Sequence, residues 1–195
     1  MNYGQLKDEL ASLGFSDREE VDEFGSVIPT SLNRAITDIN LGVVPIIGTY
    51  TITQDGTDVE ILYYDMEELT MEDNVVKFLE FADVPVKTGT GVYKKFNDFE
   101  IENGNTLVMD GSIEGTFKVF YKKAHTPFVK DTLDTAKIEL PLKAHHLLPL
   151  LTAYYVWLED ERAKAVDYYN QYERMREEML TRQNQPRCRI LSGGI

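Results

Sequence analysis

The spacing of apolar residues changes twice along this chain, and that change limits the folds open to it. In residues 1–42 and 142–182, apolar side chains recur at three- and four-residue intervals, which places them on one buried face of a helix. Residues 43–141 instead contain short runs of strand-forming residues separated by turn pairs such as Asn103-Gly104. This order predicts helices at both ends of the chain and strands between them.

We therefore predict an α+β fold: a helical bundle formed by N- and C-terminal helices, with an inserted small antiparallel β-sandwich or barrel. The bundle is expected to comprise residues 1–42 and 142–182, and the inserted β domain residues 43–141. Residues 183–195 are rich in Gly and Arg and contain Pro186, a composition that cannot continue a helix. They are expected to form an extended C-terminal arm.

Local signals within these segments give more detailed expectations. Asn2 is a plausible N-cap for the first helix, because its side chain can accept a hydrogen bond from the first helical turn. The acidic residues 65–73 are expected to form a connector between strands. Residues 115–122 alternate Phe117, Val119 and Tyr121 with other side chains, which predicts a strand with those three on one face.

The composition of the chain excludes some functions. With 33 acidic and 20 basic residues the net charge is −13, which opposes tight, direct binding to a nucleic-acid backbone. Cys188 has no second cysteine with which to form an intrachain disulfide, so a reducing compartment is compatible with the sequence. The apolar stretch at residues 147–158 contains Pro149 and is too short for a membrane span. We expect a soluble, intracellular protein that does not contact a membrane.

The sequence lacks the familiar patterns of catalytic and metal sites. Gly89-Thr90-Gly91 is not followed by a helical pattern, so it is expected to be a flexible turn and not a phosphate-binding loop. His145 and His146 are adjacent and would point about 100° apart on a helix, so they cannot chelate one ion as an i,i+4 pair does. We therefore expect no enzymatic activity, no cofactor and no metal.

Aromatic residues are concentrated in the last helical segment. Their spacing covers more than one face of a long helix, which favours a combination of core and subunit interface over a ligand-binding platform. The residues are Tyr154, Tyr155, Trp157, Tyr168, Tyr169 and Tyr172.

The same segment resembles a known family. Residues 139–173 combine a Leu-Pro helix start, an apolar helix, an acidic break at residues 159–161 and an Ala-x-x-Tyr-Tyr-x-x-Tyr helix at residues 165–172. This arrangement resembles the C-terminal helical part of phage head-to-tail adaptors, also called connector or tail tubular protein A-like neck ring proteins. The apolar repeat in the first helix, and the strand segment at residues 99–122, are similar to other parts of that family.

The resemblance implies a structural virion protein and not an enzyme. Such a protein would form a homo-oligomeric ring, a dodecamer, in the virion neck, after assembly in the host cytoplasm. Its partners would be the portal protein and a tail or second neck protein, and DNA would meet it only in transit through the lumen. Family members extend a C-terminal arm onto the portal, and the residues of this chain that correspond to that arm are Arg187, Arg189, Ile190, Leu191 and Ile195.

A different class of function remains open at this point. The β region could be a β-sandwich module that recognises carbohydrate or another surface ligand on a virion. Tyr93, Phe96 and Phe99 are the aromatic side chains that would stack on sugars, although strand alternation predicts that some of them point inward.

Overall fold

The computed structural model describes residues 1–89 and 92–184, and these contain six α-helices and seven β-strands. The helices are α1 (Tyr3–Ala11), α2 (Arg18–Glu23), α3 (Val27–Gly42), α4 (Met66–Leu69), α5 (Leu148–Trp157) and α6 (Arg162–Asn184). The strands are β1 (Ile47–Gln54), β2 (Ile61–Asp65), β3 (Phe78–Gly89), β4 (Val92–Lys95), β5 (Phe99–Glu102), β6 (Thr106–Asp110) and β7 (Gly115–Lys123). Among the described helices, none combines the length and apolar character needed to cross a membrane.

The predicted fold class is wrong. The chain is a mixed α/β protein with two antiparallel sheets, and not a bundle of terminal helices around one inserted β-sandwich or barrel. One sheet has the strand order β1-β7-β3-β4 and the other the order β2-β6-β5. A helix, α4, lies between β2 and β3, so the helices are not confined to the two ends of the chain. Apolar periodicity shows which face of an element is buried, but it does not show which strands pair, and the prediction failed at that step.

The chain divides into two compact units whose boundaries do not follow secondary structure. Among the described residues, the first unit contains Met1–Ala35, Phe128–Ile138 and residues 142–184. The second contains Ile36–Pro127 and Glu139–Pro141. The boundary falls inside α3, so this helix contributes residues to both units.

Helix packing in the first unit follows from local signals. The side chain of Asn2 accepts a hydrogen bond from the backbone of Gln5 while the Gln5 side chain accepts one from Asn2, so the predicted N-cap of α1 is confirmed and completed as a capping box. In α5, Pro149 occupies the first turn, where its missing N–H costs no helical hydrogen bond. Most side chains of α5 are buried, which makes this helix the centre of the unit.

The second unit is built on long-range strand pairing. All eight residues of β1 pair with β7, from Ile47 opposite Lys122 to Gln54 opposite Gly115. The Asn103-Gly104 pair forms the tight turn between β5 and β6, with both residues at positive φ, as a hairpin turn of this type requires. Both sheets and α4 contribute to one hydrophobic core, which contains Ile52, Met66, Phe78, Phe96, Leu107, Met109, Phe117, Val119 and Tyr121.

Candidate functional site

An aromatic and aliphatic patch lies where α5 and α6 pack against each other. We call Tyr154, Tyr155, Val166 and Tyr169 the tyrosine surface. The ring of Tyr154 lies 4.9 Å from the ring of Tyr155 and 4.9 Å from that of Tyr169. Val166 precedes Tyr169 by three residues on α6, so the two side chains lie on the same helix face. The patch is partly open to solvent, since Val166 is 45% and Tyr169 39% exposed.

Two neighbouring side chains contact the rings of the tyrosine surface. Tyr172 is buried and its ring lies 5.9 Å from that of Tyr169. Arg34 is exposed, and its guanidinium lies 5.5 Å from the centre of the Tyr155 ring. Partial burial, followed by the nearby Glu173 carboxylate, raises the pKa of Tyr169. With or without this shift the phenol of a tyrosine is neutral near pH 7 and can donate a hydrogen bond. Rigid rings with a polar tip are typical of protein–protein contact surfaces.

The six aromatic residues singled out in the sequence fall into three places in the structure. Tyr154, Tyr155 and Tyr169 belong to the tyrosine surface. Trp157 and Tyr172 are buried in the core. Tyr168 is half-buried, and its hydroxyl faces the backbone at Gly14. The residues proposed as a portal-docking arm, Arg187, Arg189, Ile190, Leu191 and Ile195, lie outside the described residues.

Trp157 anchors the start of the chain to the end of α5. Its indole Nε1 donates a hydrogen bond to the Leu13 carbonyl at 3.1 Å, and its ring packs against Phe15 and Phe24. The Lys164 ammonium lies 3.3 Å from the centre of the same ring, a cation–π contact. These contacts make Trp157 a structural residue.

The aromatic residues that a carbohydrate-binding module would require do not form one exposed surface. Tyr93 is 66% exposed and carries the Lys118 ammonium 5.4 Å from its ring centre. Phe96 is instead buried in the core of the second unit, where its ring lies 4.7 Å from that of Phe117. Phe99 is half-buried and stacks on Phe96. The aromatic side chains proposed to stack on a sugar therefore do not share one exposed face.

Two of the three histidines have structural surroundings, while His146 is exposed. His125 is buried, and burial lowers the pKa of its imidazole. The Nδ1 atom of His145 lies 3.0 Å from the amino group of Met1. Across residues 1–89 and 92–184, no group of three or more His, Cys, Asp or Glu side chains is arranged to hold a metal ion.

Some apolar side chains outside the tyrosine surface are also exposed, and the sequence analysis did not predict this. Val129, Leu133 and Leu142 are all well exposed in the first unit, in the segment that leads from β7 to α5. Because these three residues do not belong to a periodic apolar pattern, their exposure could not be predicted from the sequence. No family model matches the chain, and a search of curated proteins found no match either.

Proposed function

We propose that this protein is a ring-forming structural subunit of a phage neck, which docks on the portal and joins the capsid to the tail. The observation that carries the proposal is the tyrosine surface. Partly exposed tyrosine and valine side chains on a rigid helical base are the composition expected where another protein copy packs. Covering apolar surface of this kind contributes about 25 cal/mol per Å² removed from water.

A ring also needs a second, different contact surface on each subunit. Ring closure joins one face of a subunit to another face of its neighbour, whereas a two-fold dimer uses a single face twice. Val129, Leu133 and Leu142 carry exposed apolar side chains in the same unit as the tyrosine surface, and we propose that they contribute to this second contact. A second apolar contact of this kind would favour a ring over a simple dimer.

The charge of the chain is compatible with a channel for DNA. A net charge of −13 repels the phosphate backbone, so DNA would pass an acidic lumen without being retained. Residues 43–141 carry 18 acidic and 9 basic residues, and we expect part of this segment to face the lumen. A lumen lined mainly by Lys and Arg would remove this support.

The test compares the assembly state of two tyrosine variants. Tyr169→Ser removes an aromatic ring from the tyrosine surface, and Tyr93→Ser removes a more exposed one from β4. We expect Tyr169→Ser to weaken self-association by about ten-fold or more, since aromatic side chains dominate contact surfaces, and Tyr93→Ser to leave it unchanged. Sedimentation velocity over a range of concentrations gives both values, and thermal unfolding checks that each variant is folded.

Binding to the portal protein of the same virus tests the neck assignment itself. We expect the wild-type chain and Tyr93→Ser to co-purify with the portal as one large complex, while Tyr169→Ser loses most of that complex. A wild-type chain that does not bind the portal under any assembly condition would overturn the neck assignment. Equal association of the two variants would show that the tyrosine surface is not the contact between copies.

A further inference from the structure

The three-stranded sheet of the second unit has an open face that carries both apolar and acidic residues. In an antiparallel pair, residues directly opposite each other point to the same side of the sheet. Val108 on β6 lies opposite Tyr63 on β2 and Glu100 on β5, and Asp110 lies opposite Ile61. These five residues therefore share one face. The other face carries Leu107 and Met109, which are buried in the core.

A groove of about 430 Å³ runs across this face. Its apolar part is formed by Ile61 and Val108 on this face, and Phe99, which lies opposite Met109 and points to the core side, borders it. The acidic residues Asp98, Glu100 and Asp110 also line the groove. Ile61 is well exposed, whereas Val108 is buried at the centre of the sheet. We call these six residues the acidic groove.

The charges of the acidic groove are not neutralised by neighbouring side chains. Within the part of the chain that the structure describes, none of its three carboxylates forms an ion pair. Asp110 accepts hydrogen bonds from the backbone N–H and the hydroxyl of Ser112, and these bonds lower the pKa of its carboxyl group. The groove therefore carries three negative charges beside an apolar surface, and its chemical complement is a segment with cationic and aliphatic side chains.

A segment of the chain that lies outside the described residues has that chemistry. Residues 185–195 read Gln-Pro-Arg-Cys-Arg-Ile-Leu-Ser-Gly-Gly-Ile, with two arginines, three large aliphatic residues and no acid. Eleven residues can reach about 36 Å when extended, which exceeds the roughly 17 Å length of a five-residue strand such as β6.

We propose that the acidic groove of one copy binds residues 185–195 of a second copy, with Arg187 and Arg189 against the carboxylates and Leu191 against Ile61 and Val108. This contact rests on the proposed function, because it requires copies to lie side by side. It differs from the portal docking that the family resemblance implies for the same residues, and the portal would have to compete with the groove for them.

The experiment uses full-length protein and a synthetic peptide of residues 185–195 with a fluorescent label. The receiving protein carries Arg187→Glu and Arg189→Glu, so that its own C-terminal residues do not compete for the groove. We expect saturable binding by fluorescence anisotropy that weakens as salt is added, because exposed charge pairs are screened. A peptide with both arginines replaced by glutamate is expected not to bind.

Two further variants of the receiver locate the binding site. Asp98→Asn with Glu100→Gln removes two charges from the groove, and Glu67→Gln with Glu68→Gln removes two exposed charges from α4. We expect the groove variant to weaken peptide binding by about ten-fold and the α4 variant to leave it nearly unchanged. Equal losses in both would show general attraction to an acidic protein, and would overturn the proposal.

The outcome can be separated from that of the proposed function. If the peptide does not bind while wild-type protein still assembles, the groove proposal is overturned and the ring assignment stands. If the peptide binds the groove but the protein remains monomeric at every concentration, the proposed ring and the contact between copies are both wrong. The finding that the groove binds this segment would still stand. Hydrogen exchange on the complex should show protection around Ile61 and within residues 97–110, and protection confined to other parts of the chain would contradict the proposed site.

Discussion

At the scale of single residues, an ion-pair cluster holds the segment before α5 against the first two helices. Arg18 on α2 reaches the carboxylates of Asp8 and Asp134, and its guanidinium also donates to the Gly4 carbonyl at 3.1 Å. Lys7 on α1 pairs with Asp134 at 2.8 Å and with Asp22 at 2.9 Å. Asp134 thus receives two cations from two helices, which is more than an isolated surface pair offers.

This cluster predicts a specific effect of Asp134→Asn. Hydrogen bonds from Lys7, with Arg18 also contributing, lower the pKa of Asp134. A carboxyl group whose pKa is lowered by folding stabilises the protein above its unfolded pKa, and loses that contribution as the pH falls through the folded value. Because Asp134 is half-exposed, we expect Asp134→Asn to cost at most about 1 kcal/mol at neutral pH.

Urea unfolding of the Asp134→Asn variant and the wild type across the acidic range measures this contribution. The difference between the two proteins should disappear at low pH, once Asp134 is protonated in the folded state. Asp131→Asn, in the same segment, is the matched control, and should cost nothing because no ion pair involves that side chain among the described residues. A difference that persists at low pH would contradict the role given to the ion pairs.

At the scale of elements, the end of α1 is fixed by contacts with α5 and α6. Gly14 follows α1 with φ +97°, a conformation that side chains with a Cβ atom rarely adopt. Its carbonyl accepts a hydrogen bond from Lys164 at 2.9 Å, next to the Leu13 carbonyl that accepts one from Trp157. The first and last helices of the chain are therefore joined through one turn.

Gly14→Ala tests how much this turn contributes. The added Cβ would overlap the Lys164 side chain and strain the backbone, so we expect a loss of about 1–2 kcal/mol in the free energy of unfolding. Gly42→Ala is the matched control, because its Cβ would meet nothing within 4 Å and φ there is not positive. Denaturant unfolding of both variants gives the comparison, and equal effects would contradict the special role of Gly14.

The elements also show which parts of the fold could be predicted from the sequence. Signals that act within a few residues were sufficient: the Asn2 cap, the Asn103-Gly104 turn and the buried face of Phe117, Val119 and Tyr121 are confirmed. Signals that depend on distant residues were not, and this is why the pairing of β1 with β7 and the split into two sheets were missed.

Two local features of the second unit were not apparent from the sequence. Residues 65–73 lie between β2 and β3, as expected of a connector, but Asp65 also caps the short helix α4, in which Met66 is fully buried. Because acidic residues surround Met66 in the sequence, the burial of its side chain could not be predicted. In β3, register shifts opposite β7 and the internal Pro85 interrupt the alternation that would have indicated a long strand.

Only part of the candidate site could be predicted from the sequence. The aromatic spacing at residues 154–172 indicated both core and contact residues, but it could not assign each side chain to one or the other. Trp157 and Tyr172 are buried, while Tyr169 is exposed, although all three occupy apolar positions of similar appearance. The acidic groove could not be predicted for a different reason. Its residues are brought together from β2, β5 and β6 only when these strands pair.

At the scale of the whole molecule, electrostatic repulsion between copies opposes their association through apolar surfaces. Copies that each carry a net charge of −13 repel one another, and added salt screens that repulsion. The proposed contact through the tyrosine surface is mainly apolar, and salt would affect it little, whereas salt would weaken the proposed arginine contacts with the acidic groove. In a chain with Arg187→Glu and Arg189→Glu, which lacks the groove contact, we therefore expect self-association to strengthen as sodium chloride is added, and sedimentation equilibrium at several salt concentrations measures the trend. Assembly that weakens steadily with salt would indicate that ion pairs, and not the tyrosine surface, join the copies.

Electron microscopy of the purified full-length chain, alone and mixed with a phage portal protein, tests the proposed ring most directly. The account predicts closed rings of one size, with a central channel, that stack on the portal and that are lost in the Tyr169→Ser variant. Single copies at every concentration, in the presence and absence of the portal, would contradict it.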